Sequence, residues 1–161
     1  MNAEAAQQLL GRLREQAREV YRLSAGLSET QLALRQEPGQ WSLKELICHL
    51  WRVQQVFARR IEFMLSEDNP EIEPYEPDLD AEFDRMAKRP AADLLSSFIA
   101  DRQRLLKRLQ GLAAAEWERS GRHPEYPHFS VRFQIEYMAH HEAHHIYQMF
   151  QRRALLGAPP R

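Results

Sequence analysis

Residues 66–84 carry nine acidic side chains and three prolines without a lysine or arginine, and this stretch constrains the fold more than any other. Proline removes a backbone donor and blocks a helix interior, so the first part, to about Pro77, predicts no regular helix. Its charge density predicts a segment that crosses the molecule in water. A connection this long exceeds what two adjacent antiparallel helices need. It suits a crossover that lets the helices on either side run parallel. Within it, Asp80 to Lys88 predicts a short helix.

Four longer segments show the three-and-four spacing of amphipathic helices. From Ala3 to about Ser24, Leu10, Leu13, Ala17 and Val20 recur between charged residues. Residues 25–40, with Gly26, Pro38 and Gly39, predict a connection with a short helical turn at Ser28 to Ala33. Ser42 and Glu45 then form a capping-box pattern, Ser42 accepting from the Glu45 amide while the Glu45 carboxylate reaches back. The helix they start carries Leu43, Leu46, Leu50, Val53, Phe57, Ile61 and Met64 and is expected to end near Leu65. Pro90 suits the first turn of the third helix, whose stripe of Leu95, Phe98, Leu105, Leu109 and Leu112 is interrupted by Arg102. A charge in a core stripe is costly unless paired. The favoured expectation is that the helix turns to let Arg102 snorkel to water; the alternative sets Asp101 and Arg102 at the border of a polar cavity. Residues 113–129, with Trp117, His123 and His128, predict a loop that can overhang the last helix. That helix is capped by Ser130 and runs from about Val131 to Leu156, where Gly157 and two prolines stop it.

The balance of 22 basic against 23 acidic residues argues against a nucleic-acid binder, which would show a basic excess or stripe. Cys48 is the only cysteine, so no intrachain disulfide forms and a reducing cytoplasm is the natural compartment. No apolar run approaches the roughly 18 residues that span a membrane, and the polar amino terminus is unlike a secretory signal. At 161 residues the length predicts a single domain over 1–161 with one substantial core.

Met138 to Gln148 holds four of the seven histidines. Helical residues four apart stand one above the other, about 6 Å apart along the axis, so two such histidines can close on one metal ion. Two pairs compete, His141 with His145 and His140 with His144. Val131, Ile135, Met138, His145 and Met149 follow the core stripe, with His141 and Gln148 beside them, while Phe133, Tyr137, His140, His144 and Tyr147 share a rival aromatic face. The core stripe favours His141 and His145. His141, Glu142 and His145 also spell H-E-x-x-H, the zinc-protease pattern. That pattern takes a third ligand from downstream, and no Asp, Glu or His follows His145. His49, on the flank of the second helix's stripe, is the best-supplied third ligand. Cys48, about 100° away around the helix, reads as a small buried apolar side chain. Glu142, also about 100° from His141, reads as a partner of the site or as a solvated charge.

Trp41-Ser42-x-x-Glu45-x-x-x-His49, followed by His141-x-x-x-His145-x-x-Gln148, resembles the DinB/YfiT-like family of metal-binding four-helix bundles, often described as metal-dependent hydrolases. The resemblance spans essentially the whole chain, including the long second connection. It implies an all-α, four-helix bundle of up-down-down-up topology, with nickel or zinc on one histidine of the second helix and two of the last. Those positions fall on His49, His141 and His145, and Gln148 matches a glutamine that commonly follows the last ligand. Ile146 and Tyr147 stand where Arg-Gly is often found, a departure that leaves subgroup and substrate open. Some relatives are thiol-dependent transferases or isomerases. The expectation is a small metalloenzyme of hydrolase or thiol S-transferase type, acting on a small-molecule substrate or a low-molecular-weight thiol, with Glu142, Gln148 and Arg102 as candidates for the chemistry. The alternatives are a non-catalytic metal-binding or dimeric bundle and, third, a peptidase. Phe133, Tyr137 and Tyr147, off the main stripe, predict an apolar patch and a homodimer.

Overall fold

Helix ends are set by caps that satisfy amides left without an intrahelical partner. The Asn2 side chain accepts from the Ala5 amide at 2.8 Å and starts α1, Ala3–Ser24. Ser28 and Gln31 form a capping box for the short α2, Glu29–Ala33. Ser42 and Glu45 form the expected one for α3, Leu43–Ser66. Asp80 caps α4, Ala81–Met86, and Pro90 stands immediately before α5, Ala91–Gln110, rather than in its first turn. Ser130 caps α6, Val131–Leu155. The computed structural model describes residues 2–157. Among them no helix is long and apolar enough to cross a membrane.

Cross-helix contacts give the directions. Gln54 donates to the Phe98 carbonyl, and eight residues later Glu62 accepts from Arg108, so α3 and α5 are parallel. Gln16 donates to Ala139 and Arg153 to Leu23, so α1 and α6 are parallel. Arg152 reaches the Trp41 carbonyl while Arg60 reaches Gln134, so α3 and α6 are antiparallel. The bundle is therefore up-down-down-up, as the long crossover requires.

That crossover is less solvated than its composition predicts. Ile72, Phe83 and Met86 are buried, and the Ile72 amide donates to the Arg122 carbonyl while the Arg122 amide donates to that of Pro70. Residues 113–129 are likewise not a plain loop: Ser120–Gly121 pairs antiparallel with Phe129–Ser130. Gly121 admits the close approach, because a Cβ there would lie 2.6 Å from Ile72 Cγ1 and 3.1 Å from the Pro70 carbonyl.

The apolar core divides in two. One half gathers Leu13, Phe57, Ile61, Leu105, Ile135 and Met138. The other gathers Val20, Leu46, Leu50, Leu94, Phe98 and Met149. Between them runs a buried polar layer: His49, Gln54, Arg102, Glu142 and His145.

Candidate metal centre

His49 enters this layer from α3, where the line Leu46, His49, Val53 turns it inward at 2% exposure. His141 and His145 enter from α6, one turn apart. Nε2 of His141 lies 3.2 Å from Nε2 of His49 and 3.1 Å from Nε2 of His145, and one nitrogen from each ring falls within 4.8 Å of the others. Two imidazole nitrogens held about 2.0–2.1 Å from one ion at a tetrahedral angle stand roughly 3.3 Å apart. The donor spacing is that of a shared ion.

Proton inventory supports the same reading. Gln148 Oε1 accepts from His145 Nδ1 at 2.8 Å, which fixes the proton on Nδ1 and leaves a lone pair on Nε2. Nδ1 of His49 and of His141 is buried with no partner in the protein. Protonation does not relieve the crowding. Burial, then the neighbouring His145 and His141, lower the His49 pKa to about 3. Burial, then His145 and His144, lower that of His141 to about 4, and burial also lowers His145 against the pull of Gln148. Three converging imidazole nitrogens, shielded from water and uncharged at neutral pH, fit a borderline divalent cation.

Aromatic packing holds the rings. Trp41 lies against His49 at 4.7 Å and His145 at 6.2 Å between centroids. Tyr137 stacks on His141 with planes 13° apart. Neither contact was expected from sequence, although Tyr137 and His141 have the i, i+4 spacing that brings helical side chains together.

The family model of the DinB superfamily matches residues 3–149. The chain belongs to the DinB superfamily. YuaE of Bacillus subtilis is 28% identical over 137 residues, covering 77% of this chain and 84% of YuaE. A protein of Oceanobacillus iheyensis named "putative metal-dependent hydrolase" is 29% identical over 120 residues, covering 74% of this chain and 69% of its own. The solved structure of YfiT from Bacillus subtilis, described as a probable metal-dependent hydrolase with an unusual four-helix bundle topology, aligns with a TM-score of 0.85 at 18% identity, over 99% of this chain and 91% of YfiT.

In this DinB-superfamily chain the other histidines are not among the converging three, although the His144 ring packs edge-on against His145 with centroids 5.1 Å apart. His140 and His144 are exposed; Nδ1 of His140 is 3.4 Å from Arg12, and Nε2 of His144 is 3.3 Å from the Gln148 amide nitrogen. His128 is exposed, whereas His123 stacks on Phe129 at 4.9 Å. His49 and His141 also line one end of a cavity of about 460 Å³, so the residues 113–129 do overhang the histidine helix.

Glu142 and Arg102 occupy the same layer and face each other. Arg102 is 1% exposed, which overturns the expectation that it snorkels. It donates to Glu142 twice, Nη1 to Oε1 at 3.0 Å and Nη2 to Oε2 at 2.5 Å. Nη1 also donates to the Leu13 carbonyl at 2.7 Å, and Nε to Gln54 at 2.5 Å. One guanidinium on α5 thus ties to α1, α3 and α6. Glu142, 1% exposed, is neither a solvated charge nor a free base beside the histidines. Cys48 is buried as expected, and burial raises its thiol to about 12.

Proposed function

We propose that this chain is a small metalloenzyme in which His49, His141 and His145 hold one divalent ion, nickel or zinc, and which acts as a hydrolase or thiol S-transferase on a small-molecule substrate or low-molecular-weight thiol. The observation that carries the reading is the convergence of three uncharged imidazole nitrogens, two of whose rings, those of His49 and His141, line a cavity. A divalent ion bound there would lower the pKa of a water or thiol and make it a nucleophile at neutral pH.

The chain's own residues do the rest. Gln148 holds His145 in the tautomer that presents Nε2, and Trp41 and Tyr137 fix the ring planes. Three protein donors leave room for a reacting ligand, the composition of an open site. The two groups placed to close it are otherwise engaged: His144 is exposed and meets Gln148, and Glu142 is spent on Arg102. That engagement also removes the carboxylate base on which the peptidase alternative depends. Metal analysis of tag-free protein tests the reading. About one ion per chain is expected, lost in His49→Ala and in His145→Ala; stoichiometric metal in both variants overturns it.

Buried Cys48 as the sole cysteine supports a cytoplasmic setting. Self-association into a homodimer rests on Tyr147, 61% exposed. Phe133 and Tyr137 are partly engaged by Tyr126 at 5.0 and 5.8 Å. A monomeric mass by light scattering counts against the dimer.

A further inference from the structure

The cavity beside the histidines has a second chemical end. Along one face of α3 stand His49, Val53, Phe57 and Arg60, and Gln134 precedes His141 on α6 by two helical turns, about 10 Å. All of these line the cavity, and the His49–His141 contact lies at a different level of α3 and α6 from the Arg60–Gln134 contact. Between them the walls include the aromatic rings of Phe57, Tyr126 and Tyr137.

Arg60 is half-buried, and its hydrogen bonds go to neutral acceptors: the Glu73 carbonyl at 2.5 Å and Gln134 Oε1 at 3.4 Å. No carboxylate pairs with it among the described residues; Glu76 and Glu125 line the cavity from exposed positions. Burial lowers the Arg60 pKa against the opposing influence of Tyr137 and Glu125, as befits a partly desolvated cation without a bound counter-ion. Beside it Gln134, 1% exposed, has its amide nitrogen buried with no acceptor in the protein. A half-buried cation with spare N–H groups and a neighbouring unpaired amide donor lack the same thing, an oxygen acceptor.

We propose that this end of the cavity binds the carboxylate of a small organic acid, so that the substrate is an anion carrying an apolar or aromatic body of about 10 Å that reaches the histidines. A carboxylate offers two oxygens in one plane, matching a guanidinium fork and an adjacent amide. For its reactive end the inference rests on the metal-centre reading above; its anionic end rests on Arg60 and Gln134 alone.

Isothermal titration of tag-free protein of measured metal content, using 4-phenylbutanoate, 4-phenylbutanamide and inorganic phosphate as probes, tests it. The acid is expected to bind at least about tenfold more tightly than the amide, the scale of a charge-assisted contact. Arg60→Met is expected to erase that preference, Arg60→Lys to keep part of it, and Gln134→Met to reduce it about threefold. Should Arg60→Met fail to fold, Arg60→Lys and the wild-type comparison decide. Equal binding of acid and amide, or binding of neither, overturns the inference, and phosphate binding as tightly as the acid overturns the assignment of a carboxylate on an apolar body. Acid preference in protein that holds no metal sinks the metal centre and leaves the anionic end standing. Metal-replete protein without acid preference does the reverse.

Discussion

Two clusters share the buried polar layer and treat their hydrogen bonds in opposite ways. Around Arg102 the donors are matched: Glu142 takes two, Leu13 and Gln54 one each, and Gln54 in turn donates to Phe98. Around His49, His141 and His145 three Nε2 atoms crowd together, and two Nδ1 atoms have no partner. A matched buried network rigidifies a core, whereas ring nitrogens of one kind crowded at one point suit a cation that they can share. The first cluster holds the bundle together, and the second is what the bundle holds in place.

The largest effect expected from disturbing this contrast is on the matched side. Removing one partner strands a buried charge, so Arg102→Met or Glu142→Leu should each cost about 3–5 kcal/mol in urea unfolding. The double variant should recover much of that loss, since replacing both partners with apolar side chains of similar volume is often close to neutral. Equal losses in the single and double variants would deny that the pair is a unit.

On the unmatched side the sign reverses, because adding a ligand should stabilise. Nickel or zinc at about one hundred times its Kd should raise the unfolding free energy by about 2.7 kcal/mol, read as a shift in Tm, and His49→Ala should abolish the shift. Next in size is Gln148→Leu. It leaves the three donors in place but frees the His145 tautomer, so metal affinity measured by chelator competition should fall about 10–100-fold. An unchanged affinity would show that Gln148 does not orient the ring.

Smallest near neutrality is the pH dependence of the metal-free protein. In the unfolded chain an imidazole takes up its proton near 6.5, but in the fold His49 does so only near 3 and His141 near 4. Across that window the unfolded state binds more protons, so stability rises with pH. It should be fully present above about 6.5 and fall steadily toward pH 4. Chemical denaturation at a series of pH values checks this, and a flat profile between pH 6.5 and 4.5 would contradict it.

Much of the bundle was legible in the chain because its signals are local. Ser42 with Glu45, Ser130, and the stripes of α1 and α3 depend on residues within a few positions of each other. The long acidic segment gave the parallel pair through chain length alone. The placing of Arg102 is not local: a charge in a stripe looks costly until its partner is seen, and Glu142 lies 40 positions away on another helix. The pairing of Gly121 with Phe129, and the docking of Ile72 beneath it, depend on contacts across 8 and about 50 residues that no local pattern announces. In the site, the i, i+4 spacing of His141 and His145 was readable and His49 followed from its flank position. Arg60 and Gln134 carry no signal in the sequence, because neither type is unusual on a helix until the cavity that both line is known.

Glu142 sits inside a run of four histidines, and its tie to Arg102 has a consequence for how that run is read. Turning α6 by a single residue would trade His141 and His145 for His140 and His144, leaving a sequence that looks almost as well supplied with ligands. It would also carry the carboxylate about 100° away from the guanidinium and leave two opposite charges stranded in the core. The glutamate therefore works as an indexing pin: it admits one rotational setting of the helix, and so selects which two imidazoles meet His49.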